Sequence, residues 1–433
     1  MNFFRKFRPI LFFLLLCILA PVLHSQSTVY LKIQSQGFQP IRILVSQFNA
    51  NIPTDVSQKV RDVIINDLNL SGFFYVIDET ELDASYSDTS TTIFKNEIRA
   101  AAQLQARLTI QQDLLLLTVR LSDLAAASMV FEEQFRGKIS TLRWMAHEVA
   151  DKVVYYLVGE EGVATTQLAF VRDNRTTKEI ALIDYDGENY AQITSENTIS
   201  LSPCWASSGK ALAFTTYVLN NPDLVILDLR DNRLLKLSRQ KGLNTAPAWS
   251  PDQKKIALTL SKDGNAEIYT KELATGKLIR LTNHPAIDSS PTWSPNGREM
   301  AFTSDRSGSP QVYIMDAEGS NVRRLTFRGS YNDSPEWSPK GDLIAYVSRI
   351  DGYFQVCTVD VNGENVKQIT QSNGNNENPS WSPDGFRLAF ASNRNGNWQI
   401  YIMNLDGSQL RQVTQEGSNI APAWSPRLKR NLD

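Results

Sequence analysis

The chain has few of the groups on which enzymes usually rely. Its 433 residues include three histidines and three cysteines, and no Gly-x-Ser-x-Gly elbow occurs anywhere. His24 lies in the N-terminal leader, which leaves His147 and His284, placed in different domains by the pattern described below. Neither has a nucleophile or a metal ligand at a recognisable spacing, so neither catalysis nor a metal centre or cofactor is expected. Charge of one sign is also missing. The 44 basic and 46 acidic residues nearly balance, and no basic block points to nucleic acid.

Long apolar runs are absent too. Residues 10–23 are apolar apart from Pro21 and follow Arg5, Lys6 and Arg8, but fourteen residues fall short of the roughly 20 that span a bilayer. The pattern is that of a cleaved secretory signal, residues 1–25, ending at Ser25 with Ala20 as a competing site. Cys17 does not sit in a lipoprotein-processing context, so a soluble exported protein is expected. Export would allow Cys204 and Cys357 to pair. They lie three repeats apart, on opposite sides of a six-membered ring, too far for the Cα separation of about 7 Å that a bridge tolerates. Both are expected to be free and buried.

The dominant feature is a repeat. Trp205, Trp249, Trp293, Trp337, Trp381 and Trp424 recur at intervals of 44, 44, 44, 44 and 43, each inside a Pro-x-Trp triplet. That period matches one blade of a β-propeller. Two further markers keep the same interval: a small residue before an apolar one (Ala169-Phe170 to Ala389-Phe390), and a hydroxyl residue after an aliphatic (Thr194, Ser238, Thr282, Thr326, Thr370, Thr414). Each repeat reads as four strands: a with Pro-x-Trp, b with the Ala-Phe step, c, and d ending in the hydroxyl residue. The first b, c and d strands precede the first a strand, and the last a strand has no successors. Six complete blades therefore require the C-terminal strand to pair with the first blade, which closes the ring and removes its open edge. The tryptophans are read as packing between blades. Asp184-Tyr-Asp-Gly187 and Asn404-Leu-Asp-Gly407 are read as hairpin turns, because the full calcium-loop spacing is missing.

Residues 38–158 lack the repeat and read as an α/β domain, linked by residues 159–166 to a propeller spanning 167–433. Strands are expected at 29–33, 41–45 and 73–77, with a helix opening at Pro53-Thr54-Asp55 and ending at Ser71-Gly72. A helix is expected over 93–106, strands at 107–110, 114–121 and 129–137, and a helix over 141–157 with Leu142, Met145, Val149, Val153 and Tyr156 on one face.

The order export signal, α/β domain, six P-x-W-S-P-D-G-type repeats resembles the TolB family, the periplasmic components of the Tol–Pal system of Gram-negative bacteria. The likeness covers the whole chain after the signal and includes Pro40-Ile-Arg-Ile-Leu-Val-Ser-Gln-Phe48, Asp55 and Ser71-Gly72-Phe73-Phe74. It implies a non-catalytic binding protein, monomeric on its own. Such a protein would hold the lipoprotein Pal through the propeller and contact TolA through an N-terminal arm at 26–37, here including Thr28, Val29, Tyr30, Leu31, Lys32 and Ile33. The system supports outer-membrane integrity and invagination during cell division.

Strand order alone points to one face. The a–b and c–d turns share a face, and the N-terminal domain enters there; the d–a loops open on the other. These loops are short and polar, suited to receiving a loop or peptide. Thr245, Ser289, Ser290, Asp333, Glu377 and Asn378 are the candidate partner-binding residues, and the resemblance implies the same place for Pal. A carbohydrate-binding propeller and the regulatory propeller of an exported peptidase are the alternatives, the second weakened by the missing catalytic groups.

Overall fold

Residues 39–51, 53–82, 99–111 and 114–430 are described in the computed structural model; the signal and the arm expected at 26–37 lie outside them. Apolar residues with a helical period and strands with alternating ones build the first layer. Strand β1 (Ile41–Val45) buries Ile43, Leu44 and Val45 and is followed by the two-residue β2 (Asn49–Ala50) and helix α1 (Thr54–Ser71). Gly72 stops α1 in the left-handed region (φ 74°), a conformation that costs glycine little. Strand β3 (Phe74–Asp78) follows, then β4 (Ala102–Gln111), β5 (Leu114–Asp123), β6 (Ser128–Gly137) and helix α2 (Leu142–Val158). The sheet order is β3-β1-β4-β5-β6, with β1 parallel to both neighbours and the remaining steps antiparallel. Both helices share one core with the sheet.

Two local expectations are corrected. Ala102 to Ala106, assigned to a helix from sequence, belong to β4. Ala102, Leu104, Ala106 and Leu108 are buried while Gln105 and Arg107 are exposed, a period of two that alanine's high helix propensity concealed. Tyr156, expected on the buried face of α2, is exposed and stacks on Phe131 at 4.8 Å.

The propeller has six four-stranded blades. Blade 1 contains Gln167–Asp173, Lys178–Asp184 and Ala191–Gln192, and the C-terminal strand Ser418–Trp424 completes it. That strand runs antiparallel to Gln167–Asp173, with Ser418 opposite Asp173 and Trp424 opposite Leu168. The seam continues past the strand: Ser425 N and Leu428 N donate to Gln167 O and Thr165 O, both at 2.9 Å. Blades 2 to 6 follow, with innermost a strands Ser200–Trp205, Asn244–Trp249, Asp288–Trp293, Asn332–Trp337 and Asn376–Trp381.

The repeat markers acquire physical roles. Trp205, Trp293 and Trp381 donate their indole N–H to the preceding blade's a strand, at Ala423 O, Ala248 O and Glu336 O (3.1, 3.1 and 2.9 Å). Each is thus both filler and staple between blades. The hydroxyl marker is a latch. Thr326 Oγ1 accepts from Val312 N and donates to Gln311 Oε1, which also accepts from buried Asn332 Nδ2. Thr370–Gln355–Asn376 and Thr414–Gln399–Asn419 repeat it. Buried polar groups of this kind must be satisfied, which explains the fixed interval between markers.

Every a strand also carries a bulge. Pairing slips between its early and late residues, and the residue before proline takes positive φ: Ser202, Ala246, Ser290, Ser334, Asn378 and Ala421, all between 50° and 54°. A following proline disfavours the right-handed helical region, and a bulge supplies the turn instead.

Candidate functional site

Within each Pro-x-Trp triplet, proline and, in five of the six blades, tryptophan are buried. Side chains alternate along a strand, so the middle residue faces the other way, into the central channel. These residues are Cys204, Ala248, Thr292, Glu336, Ser380 and Ala423. With the positive-φ residues and the prolines they line a cavity of about 330 Å³ that spans all six blades on the d–a side. A second cavity of about 220 Å³, lined by Trp-Ser-Pro segments from four blades, lies toward the a–b side.

The sequence-derived candidates sit at the d–a end. Thr245, Ser289, Asp333 and Glu377 are the second residues of their a strands and are half-buried at the rim. Ser290 and Asn378 are third residues and line the cavity itself. Thr245 accepts from Thr215 Oγ1 at 3.2 Å; Asp333 accepts from Thr303 Oγ1 at 2.7 Å and from Tyr331 OH at 3.2 Å. Burial, and then the Asp333 charge, push the Glu377 carboxyl up. Burial and the same two carboxylates raise the Tyr331 phenol to about 12. The rim over blades 5 and 6 is therefore acidic and holds hydrogen-bond acceptors. The residues one repeat position earlier are a different class. Asn244, Asp288, Asn332, Asn376 and Asn419 are completely buried.

Sequence reasoning overlooked Glu336. It hangs in the channel, accepts from Ser380 Oγ at 3.2 Å and has no basic partner among the described residues. Burial pushes its carboxyl up to about 8, so it carries a proton at neutral pH. The signal was present: a glutamate in the x position of a triplet whose other members are core residues. Cys204 faces the same channel and is half-buried, a correction to the expectation of full burial. Cys357 is buried, and burial raises both thiols to about 12.

The N-terminal domain occupies the opposite face, at blades 1 and 6. Arg387, at the blade 6 a–b turn, pairs with Asp384 and donates to Ser71 O at the end of α1. Phe73 meets Phe386 edge-on, with ring centroids 6.2 Å apart. At the blade 1 c–d turn, Tyr185 OH donates to Asp67 Oδ1 at 3.0 Å, and Arg143 pairs with Asp186. His147 Nδ1 lies 2.6 Å from Asp67 Oδ2, and its Nε2 is 4.0 Å from both Asp184 and Asp186. Burial alone would lower the His147 pKa, but Asp67 and Asp186 outweigh burial and raise it. Asp67, His147 and Asp186 lie close enough to hold a cation by composition, yet Arg143 already supplies positive charge to Asp186. The Asp184–Gly187 turn, read from sequence as a hairpin alone, is also the domain joint.

Comparison with known proteins agrees with this architecture. A family profile described as the TolB beta propeller domain matches residues 154–373 and 351–431, and one described as the TolB amino-terminal domain matches 29–130. A Tol-Pal system protein TolB from Desulfosudis oleivorans is 35% identical over 227 residues, covering 50% of this chain and 52% of that protein. One from Cereibacter sphaeroides is 32% identical over 234 residues, covering 51% and 53%. The chain thus spans about half the length of the curated relatives it matches. The crystal structure of TolB from Acinetobacter baumannii superposes with a TM-score of 0.80 at 28% identity, over 89% of this chain and 97% of that one.

Proposed function

The chain belongs to the TolB family, and from that premise we propose that it is a non-catalytic periplasmic scaffold of a Tol–Pal system. In this reading the propeller receives a Pal-type outer-membrane lipoprotein at the d–a mouth. The N-terminal arm, with Thr28, Val29, Tyr30, Leu31, Lys32 and Ile33, engages a TolA-type inner-membrane protein. The complex supports outer-membrane integrity and its inward movement at division.

One observation carries the reading. The α/β domain covers the a–b and c–d turns of blades 1 and 6, while the opposite mouth stays open, concave and rimmed by half-buried polar side chains. Thr245, Ser289 and Ser290 offer hydroxyls, Asp333 and Glu377 offer carboxylates, and Asn378 offers both donor and acceptor. Such a rim suits the polar and basic backbone and side-chain groups of an inserted protein loop.

The test is binding of the soluble domain of a Pal-type lipoprotein to the full chain by calorimetry. Saturable binding that Glu377→Arg weakens is expected. Unchanged affinity in both Glu377→Arg and Asn378→Ala would move the partner away from this mouth.

A further inference from the structure

The outer edge of blade 2 differs from the edges of the other five blades. An exposed strand edge presents unpaired N–H and C=O groups, and proteins usually blunt it by shortness or charge. Five blades do so. Their d strands are two or three residues long: Ala191–Gln192, Leu278–Arg280, Arg323–Arg324, Lys367–Gln368 and Arg411–Gln412. In blade 2 the d strand is Arg233–Ser238, six residues. It is the last strand of its sheet and pairs with Asp223–Asp228 alone, regularly over Arg233–Lys236 and then with a shift at Leu237, whose carbonyl accepts from Lys271 of blade 3.

This long edge exposes two leucines between two basic residues. Leu234 and Leu235 are 48% and 42% exposed and, by alternation, project to opposite faces of the sheet. Basic residues surround them. From Arg230 to Lys241 the chain carries Arg230, Arg233, Lys236, Arg239 and Lys241 against Asp231 alone, in a protein whose net charge is −2. Arg230, Arg233 and Arg239 are answered by Asp228, Asp231 and Asp223. Lys236, exposed in the middle of the strand, has no ion pair among the described residues.

We propose that this edge is a second docking site, which takes an extended acidic segment of a partner protein as a fifth strand of blade 2. The backbone ladder supplies the register, Leu234 and Leu235 meet apolar residues, and acidic residues lie across from Arg233 and Lys236. Charge decides the occupant. A second copy of this chain, paired antiparallel about the Leu234–Leu235 centre, would set Arg233 opposite Lys236, and like charges directly opposite are destabilising. The site lies on the outermost strand of blade 2, whereas the d–a rim candidates lie on the innermost strands of blades 3 to 6.

The probe is an eight-residue fluorescein-labelled peptide of alternating Glu and Val, titrated against the full chain by anisotropy, beside a Lys and Val counterpart. Saturable binding of the acidic peptide alone is expected, weaker at high salt. Lys236→Glu and Leu235→Lys, both at exposed positions, should each weaken it about tenfold, whereas Ile279→Lys on blade 3 should not. Bound peptide should slow amide exchange across residues 233–238. Failure of the acidic peptide to bind, equal binding of the basic one, or indifference to both blade 2 substitutions overturns the proposal. Concentration-dependent dimerisation abolished by Leu235→Lys would also overturn it, in favour of self-pairing.

Discussion

Replacing Glu336 by glutamine should make the protein more resistant to unfolding, and increasingly so as pH rises. The substitution keeps the shape and the acceptor for Ser380 Oγ but cannot ionise. In the unfolded chain this carboxyl titrates near 4.5; in the folded channel burial pushes it up to about 8. Below pH 4.5 it is protonated in both states and the variant gains nothing. Between 4.5 and 8 the unfolded chain releases a proton that the folded chain retains, so wild-type stability falls by about 1.4 kcal/mol per pH unit relative to glutamine. The difference should be about 3 kcal/mol at pH 7 and level off near 5 kcal/mol above pH 8. Solvent in the adjoining cavity makes those figures ceilings. Glu377 and His147 titrate in both proteins and cancel in the comparison. Denaturant unfolding followed by tryptophan fluorescence at pH 5, 7 and 9 measures the gap. A constant separation between the two curves across that range would refute the reasoning, because it would mean that Glu336 is solvated like any surface carboxylate.

Other perturbations reach the seam, the joint and the rim. Deleting residues 416–433 removes the strand paired with Gln167–Asp173 and the indole bond from Trp424 to Thr166, so loss of the cooperative melt or aggregation is expected; an unchanged melting curve would contradict ring closure. His147→Gln should weaken the domain joint. The wild-type pKa is raised, so the stabilisation from the charged imidazole is fully present below about pH 6.5 and fades as pH climbs through the higher folded value. Melting temperatures of the two proteins should therefore converge at alkaline pH, and parallel curves would assign His147 a packing role alone. If the arm and the propeller are coupled, a saturating TolA-type partner must change Pal-type affinity by the factor with which Pal changes TolA affinity, and calorimetry in both orders measures it.

Two kinds of information specify this protein. The repeat, the blade count and the need for a C-terminal strand to close the ring were determined by the sequence itself. Each follows from local marks at a fixed interval: a proline that sets the backbone, a tryptophan that fills between blades, and a threonine that latches strand c. Periodicity also located α1 and α2, and it failed at Ala102–Ala106, where small residues blurred a period of two. Rim residues could be named as a class, because polar d–a loops follow from strand order.

What the tertiary structure alone decided depends on residues far apart in the chain. Glu336 is an ordinary glutamate by sequence; only the closed ring surrounds it with protein and makes it hold a proton at neutral pH. The Asp184–Gly187 turn looks like any hairpin until α1 and α2 bring Asp67, Arg143 and His147 against it. Burial and charge proximity are sums over neighbours in space, and no local pattern records which neighbours the fold will supply.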